Sequence, residues 1–173
     1  MNSDGSSLLF RHPASGVRRT PLREFLAELE RRVTRGKSFD CLVSDDRELR
    51  ALNRQFRGKN HATDVLSFPN PSNGAATSPN RAATTPNRAA TRGSGAFLGE
   101  IAISLDRARA QASEHGHSLD DELRILMLHG ALHLAGLDHE TDNGEMARAE
   151  RRWRKHFRLP AGLIDRTRES THA

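Results

Sequence analysis

Leu126-Met127-Leu128-His129-Gly130-Ala131-Leu132-His133-Leu134-Ala135-Gly136-Leu137-Asp138-His139 sets three histidines at the spacing H-x3-H-x5-H. Residues four apart share one face of a helix, with Cβ atoms about 5–6 Å apart. His129 and His133 are therefore placed to reach one metal ion through bonds of roughly 2.0–2.1 Å. His139 would lie about 15 Å along the axis from His129 if the helix simply continued, too far to share that ion. The helix has to end first. Gly136 stands where a left-handed residue closes a helix at little cost. Leu137-Asp138 then lets the chain turn and swing His139 back.

The flanks agree. Ser118 with Asp121 or Glu122 makes an N-cap with acidic residues in the first turn. Leu123, Leu126, Met127, Leu134 and Leu137 recur with a helical period, and the histidines occupy the other face. The spacing predicts one mostly buried helix from about Leu119 to Ala135. Zinc proteases of the pattern H-E-x-x-H-x-x-G-x-x-H share this spacing and use the Glu after the first histidine as general base. Here that position is Gly130, so the ligands are present and the protease base is absent. A metalloprotease-like hydrolase is a disfavoured rival on that ground. Three neutral imidazoles leave a fourth coordination place, as in catalytic rather than structural zinc sites. The same ligands also suit copper, nickel and iron. Asp138 either orients a ligand from behind or serves the turn.

With 173 residues the chain is expected to form one domain. Hydrophobic residues make up 35% and the mean hydropathy is -0.69, enough for a modest core. No run approaches the ~18 apolar residues of a spanning helix. Met1 to Ser7 lacks a basic segment, and Leu8-Leu9-Phe10 is too short for a signal-peptide core. A cytoplasmic location is the expectation. A single cysteine, Cys41, excludes an intramolecular disulfide and fits a small core residue in an apolar strand. The net charge of +5, carried almost entirely by arginine, permits a nucleic-acid partner without requiring one.

In chain order, Ser7 to Arg11 reads as a short strand. Pro21 to Arg35 reads as a helix capped by Thr20, with Leu22, Phe25, Leu26, Leu29 and Val33 on one face and Gly36 ending it. Ser38 to Val43 is strand-like. Ser44-Asp45-Asp46 opens a second helix running to about Phe56, with Leu49, Leu52 and Phe56 as its buried face. A basic loop, Arg57-Gly58-Lys59-Asn60-His61-Ala62-Thr63, precedes a strand from Asp64 to Pro69. Arg57 and Lys59 are candidate phosphate contacts, although a plain surface loop explains them as well. Asn70 to Gly95 is rich in Pro, Asn, Ala and Thr and carries the near-repeat Ser78-Pro79-Asn80-Arg81-Ala82-Ala83-Thr84, Thr85-Pro86-Asn87-Arg88-Ala89-Ala90-Thr91. It is expected to be a disordered insertion between two strands. Phe97 to Ser104 returns as a strand. Ser104 caps a helix to about His115, and His115 and His117 bracket Gly116 in what reads as an exposed turn. After His139, Asp142 or Asn143 starts a last helix, roughly Gly144 to Phe157, and the tail from Leu159 is expected to fray. His12, His156 and His172 have no context that suggests chemistry.

His129-Gly130-x-Leu132-His133-Leu134-x-Gly136-x-Asp138-His139 resembles the signature of the YbeY family, bacterial endoribonucleases that mature ribosomal RNA. Arg57-Gly58-Lys59 with Thr63-Asp64-Val65-Leu66-Ser67-Phe68-Pro69 is a second match, and Leu98-Gly99-Glu100-Ile101-Ala102-Ile103 a weaker third. The resemblance covers about Phe39 to Phe157 apart from the insertion. It implies an α+β fold, a small mixed β-sheet with about five helices packed around it and the metal site on a central helix and the turn after it. It implies one zinc ion on His129, His133 and His139, and Arg57 as the catalytic arginine. The implied substrate is single-stranded RNA, notably the 16S ribosomal RNA 3′ end, with a role in quality control of the small ribosomal subunit. Ala62 departs from the family's usual proline, the insertion is atypical and the N-terminal strand matches poorly. A zinc site of this kind supplies hydroxide from water near neutral pH; the RNA's own 2′-hydroxyl is also a candidate nucleophile. A non-catalytic ribosome assembly factor, its metal only holding the fold, is the other rival.

Overall fold

A computed structural model of the chain describes residues 5–71, 97–164 and 166. The strands are β1 (Ser7–Phe10), β2 (Ser38–Ser44), β3 (Val65–Pro69) and β4 (Phe97–Ser104). The helices are α1 (Arg19–Arg32), α2 (Asp46–Arg57), α3 (Leu105–His115), α4 (Leu119–Leu134) and α5 (Glu145–Phe157). One mixed sheet runs β1-β2-β4-β3, with β1, β2 and β4 parallel and β3 antiparallel to β4. The fold is α+β, as the family resemblance implied. Most of the insertion expected at 70–95 lies outside the described residues. Asn70 does not belong to it. It is buried, and its amide donates to the Phe97 carbonyl at 3.2 Å.

β4 is the central ladder, and its sequence shows why. Phe97-Leu98-Gly99-Glu100-Ile101-Ala102-Ile103 is almost continuously apolar, as a strand covered on both faces requires. On one face Ile101 and Ile103 stand beside Cys41 and Val43 of β2 and join the main core with α1 and α4. On the other face Ala102 and Leu66 meet Leu49 of α2, with Leu52 and Phe68 packed around them. Gly99 has φ +141°, and a Cβ there would lie 2.2 Å from the Phe68 carbonyl oxygen. Only glycine fits where β3 and β4 approach so closely.

α4 is buried on nearly every side: Leu123, Leu126 and Met127 are fully enclosed, and Ile125, Leu128 and Leu132 nearly so. A helix apolar all round is a core helix. It lies directly on β4 because Gly130 has no side chain. A Cβ at Gly130 would fall 2.8 Å from Ile101 Cγ2 and 2.9 Å from its Cδ1. The Ser67 hydroxyl also donates to the Gly130 carbonyl at 3.4 Å. The residue that replaces the protease base is therefore also the residue that lets helix and sheet touch.

Several termini differ from expectation. α1 begins at Arg19, with Arg18 as an N-cap that makes no side-chain bond. Thr20 lies inside the helix rather than capping it, and the helix ends at Arg32, not Arg35. The caps of α3 and α4 are as predicted: Ser104 accepts from Arg107 N at 3.1 Å and Ser118 from Asp121 N at 3.1 Å. α5 has Gly144 as its N-cap, while the Asp142 carboxylate accepts from Gly144 N and Met146 N, each at 2.7 Å. Leu159 to Ile164 is packed rather than frayed, since Leu159 and Ile164 are buried in the main core; the rest of the expected tail, apart from Arg166, lies outside the described residues. No helix among the described residues is long and apolar enough to cross a membrane.

Two measurements test this packing. Gly130→Ala gains about 1 kcal/mol of helix propensity but overpacks a β-branched neighbour at about 1–3 kcal/mol, so its denaturation midpoint should fall. Gly130→Glu should fail to fold. Burial pushes the Cys41 thiol up to about 12, with the Asp40 carboxylate adding to the effect. Native protein at pH 8 should therefore resist thiol reagents that react fully in denaturant.

Candidate metal centre

The close of α4 is a Schellman turn. Gly136 N donates to the His133 carbonyl at 3.0 Å and Leu137 N to the Leu132 carbonyl at 3.1 Å. Gly136 has φ +97°, the left-handed residue this motif needs. Leu137 packs back on the core. Asp138 then builds the next turn: its carboxylate accepts from Glu140 N at 3.1 Å and from the Thr141 hydroxyl at 2.9 Å. These bonds hold the Asp138 carboxyl below the usual carboxylate range. Of its two sequence roles, the turn is the one its hydrogen bonds serve.

These two turns bring His139 back to the helix. Ring centroids lie 4.8 Å apart for His129–His133, 5.3 Å for His129–His139 and 5.2 Å for His133–His139. One nitrogen from each ring lies within 4.8 Å of the others, so the three can hold a metal ion. His129 is buried, His133 half-buried and His139 exposed, which leaves the cluster open on one side. Burial, then the neighbouring His129 and His139 imidazoles, push His133 down to about 4. It is neutral at physiological pH, the form that binds metal.

Sequence reasoning missed the group behind His129. Glu150 of α5 is 2% exposed, and its Oε2 lies 3.8 Å from His129 Nδ1, a nitrogen that is buried without a hydrogen bond. The Glu150 carboxylate accepts from Leu163 N at 2.6 Å and Ile164 N at 3.2 Å. Burial opposes its ionisation, but His129 and these backbone N–H groups outweigh burial and set its pKa below the ordinary value. A ring whose Nδ1 faces a carboxylate offers Nε2 to a metal. A Cβ on Gly162 would fall 2.5 Å from Glu150 Oε1, so the missing side chain leaves space for the carboxylate. The available signal was a lone acid in the stripe Met146, Glu150, Trp153, at i, i+4 and i+7 of α5.

Arg57 ends α2, and Gly58, with φ +67°, turns the chain away. The Arg57 guanidinium reaches to 3.9 Å from the carboxylate of Glu140, the residue after His139, and both side chains are exposed. Arg57 thus stands at the rim of the histidine cluster. Lys59 is exposed further along the same loop. Ala62 lacks a proline's stiffness, but the buried Asn53 donates to the His61 carbonyl at 2.8 Å and ties the loop to α2. His117 does not sit in an exposed turn. Its ring is 10% exposed and hydrogen-bonds the fully buried Glu122 at 2.5 Å, while the Arg166 guanidinium donates to the other Glu122 oxygen at 2.9 Å. That network anchors the start of α4 and lies outside the cluster.

Glu150→Ala should leave the Leu163 and Ile164 N–H groups without this acceptor, costing about 1–3 kcal/mol in urea unfolding. It should also weaken metal retention about 10–100-fold in a chelator competition. Unchanged retention would separate Glu150 from the histidines.

Residues 18–158 match the family model described as "Endoribonuclease YbeY". The Solibacter usitatus endoribonuclease YbeY is 47% identical over 163 residues, 94% of this chain and 95% of that one. That of Koribacter versatilis is 42% identical over 160 residues, covering 92% and 91%. That of Nautilia profundicola is 45% identical over 133 residues, covering 77% and 81%. Among solved structures, the solution structure of TM1509 from Thermotoga maritima shares the fold, with a TM-score of 0.53, 24% identity and coverage of 88% and 91%. A chain matched along this much of its length, with the three histidines and the preceding glycine turn folded together, belongs to the YbeY endoribonuclease family.

Proposed function

We propose that this chain is a zinc-dependent endoribonuclease that cuts single-stranded RNA, with the 3′ end of 16S ribosomal RNA on the small ribosomal subunit as its cytoplasmic substrate. The observation that carries the proposal is the convergence of His129, His133 and His139 within 4.8 Å of one another on an open face. Family membership sets the reaction class. The donor set suits the ion: three imidazoles, one held neutral by burial, supply nitrogen ligands without competing charge.

When bound, the ion supplies Lewis acidity and hydroxide from water near neutral pH. The protein's own groups do the rest. His129 and His133 hold their ligand nitrogens on a rigid helix, and the Asp138 turn holds the third. Glu150 faces the His129 ring from the buried side. Arg57, at the rim, offers a planar fork of donors to a phosphodiester and offsets the charge that builds as a nucleophile adds to phosphorus. The weak 3.9 Å contact with exposed Glu140 leaves the guanidinium available for that role. Peptide hydrolysis is not supported, because Gly130 faces Ile101 with no space for a general base.

Arg57→Ala should retain stoichiometric metal by elemental analysis and lose roughly 10²–10³-fold in RNA cleavage. Full activity would remove Arg57 from the mechanism, and loss of metal would make it structural. Chelation should abolish cleavage while the far-ultraviolet circular dichroism of the helices persists, since apolar side chains rather than the histidines make up the main core. An intact, metal-loaded protein that never cleaves RNA would favour the assembly-factor reading.

A further inference from the structure

The exposed side of α2 carries Arg47, Arg50, Arg54 and Arg57, spaced three or four apart so that neighbours share one face. Arg47, Arg50, Ala51 and Arg54 line a shallow groove with Asn60 of the following loop. Exposed Lys59 stands beside it.

The acids of this helix do not neutralise the face. Asp46 accepts from the Ser104 hydroxyl at 2.6 Å and pairs with Arg107 at 3.2 Å. Glu48 pairs with Arg11 at 3.2 Å. Arg50 donates to Asn60 Oδ1 at 3.0 Å, a neutral acceptor. Neither Arg47, Arg54 nor Lys59 has a carboxylate partner among the described residues. Like charges at these spacings weaken an isolated helix. Arg54 and Arg57 complement the negative end of the helix dipole, but Arg47 and Arg50 lie outside that last turn, and a polyanion would be drawn to the whole stripe.

Position decides which polyanion. The stripe runs about 15 Å along the helix, and its last member, Arg57, lies 3.9 Å from the residue that follows His139. A strand whose scissile phosphate reached the histidines would have its flanking phosphates alongside α2. We infer that the groove of Arg47, Arg50 and Arg54 is an RNA backbone track that holds single-stranded substrate leading into the metal centre. It contacts phosphates and reads no bases. This inference rests on the proposed nuclease activity.

The test is steady-state cleavage of an unstructured RNA of about 12 nucleotides between about 50 and 200 mM salt. The variants are Arg47→Gln/Arg50→Gln/Arg54→Gln and the matching triple replacement by lysine. Each phosphate contact to a single strand contributes about 0.7 to the slope of log affinity against log salt. The glutamine variant should lose about 2 from that slope and raise KM about tenfold or more, with the loss on KM rather than kcat. The lysine variant should recover the slope, because a phosphate track needs charge more than guanidinium geometry. Equal KM and slope in wild type and the glutamine variant, both with wild-type thermal midpoints, would overturn the track. So would loss of binding to ribosomal particles with RNA kinetics unchanged, which would assign the face to a protein. A wild-type holoenzyme that cuts no RNA would instead remove the nuclease reading itself.

Discussion

The contact between Gly130 and Ile101 is the constraint on which the rest of the molecule depends. A side chain at position 130 would collide with a stiff, fully buried isoleucine on the central strand. Without one, α4 settles directly on β4. That fixes the height of the helix, and with it the height of His129 one residue earlier and His133 one turn later. The same vacancy removes the place where a protease would carry its base. Packing and chemistry are thus set by one missing side chain.

Around this contact, buried carboxylates tie distant parts of the chain together. Glu150 collects two backbone N–H groups from the C-terminal segment and faces His129 from behind. Glu122 collects His117 and Arg166 at the other end of α4. Each group would be costly to bury alone, because a charge taken out of water needs partners. Each has them. Leu163 and Ile164 therefore close the back of the histidine cluster through Glu150.

Much of the fold was legible because its signals are local. Ser104 and Ser118 announce helix starts, since a hydroxyl at an N-cap meets a free N–H two or three residues on. Gly136 announces a helix end, since its backbone adopts a left-handed turn cheaply. The apolar run from Phe97 to Ser104 reads as a covered strand. Local signals failed where a residue's partner is far away in sequence. Thr20 looks like a cap, but α1 begins one residue before it. Leu159 to Ile164 look like a loose tail, yet Glu150 and the core hold them. His117 looks like a turn residue, and only folding sets it against Glu122.

The amino-acid order alone determined the set of three imidazoles and the turn that reunites them, because spacing along a helix and a glycine's freedom are short-range properties. It also marked Arg57 as a candidate phosphate contact and left its role open, reading as loop a residue that ends α2. Only the tertiary structure decided what stands behind and beside that set: Glu150 at its back, Arg57 at its rim, Ile101 beneath Gly130. Those neighbours come from other elements of the fold. Their approach is set by how helices and sheet pack, which no periodicity within a single segment encodes.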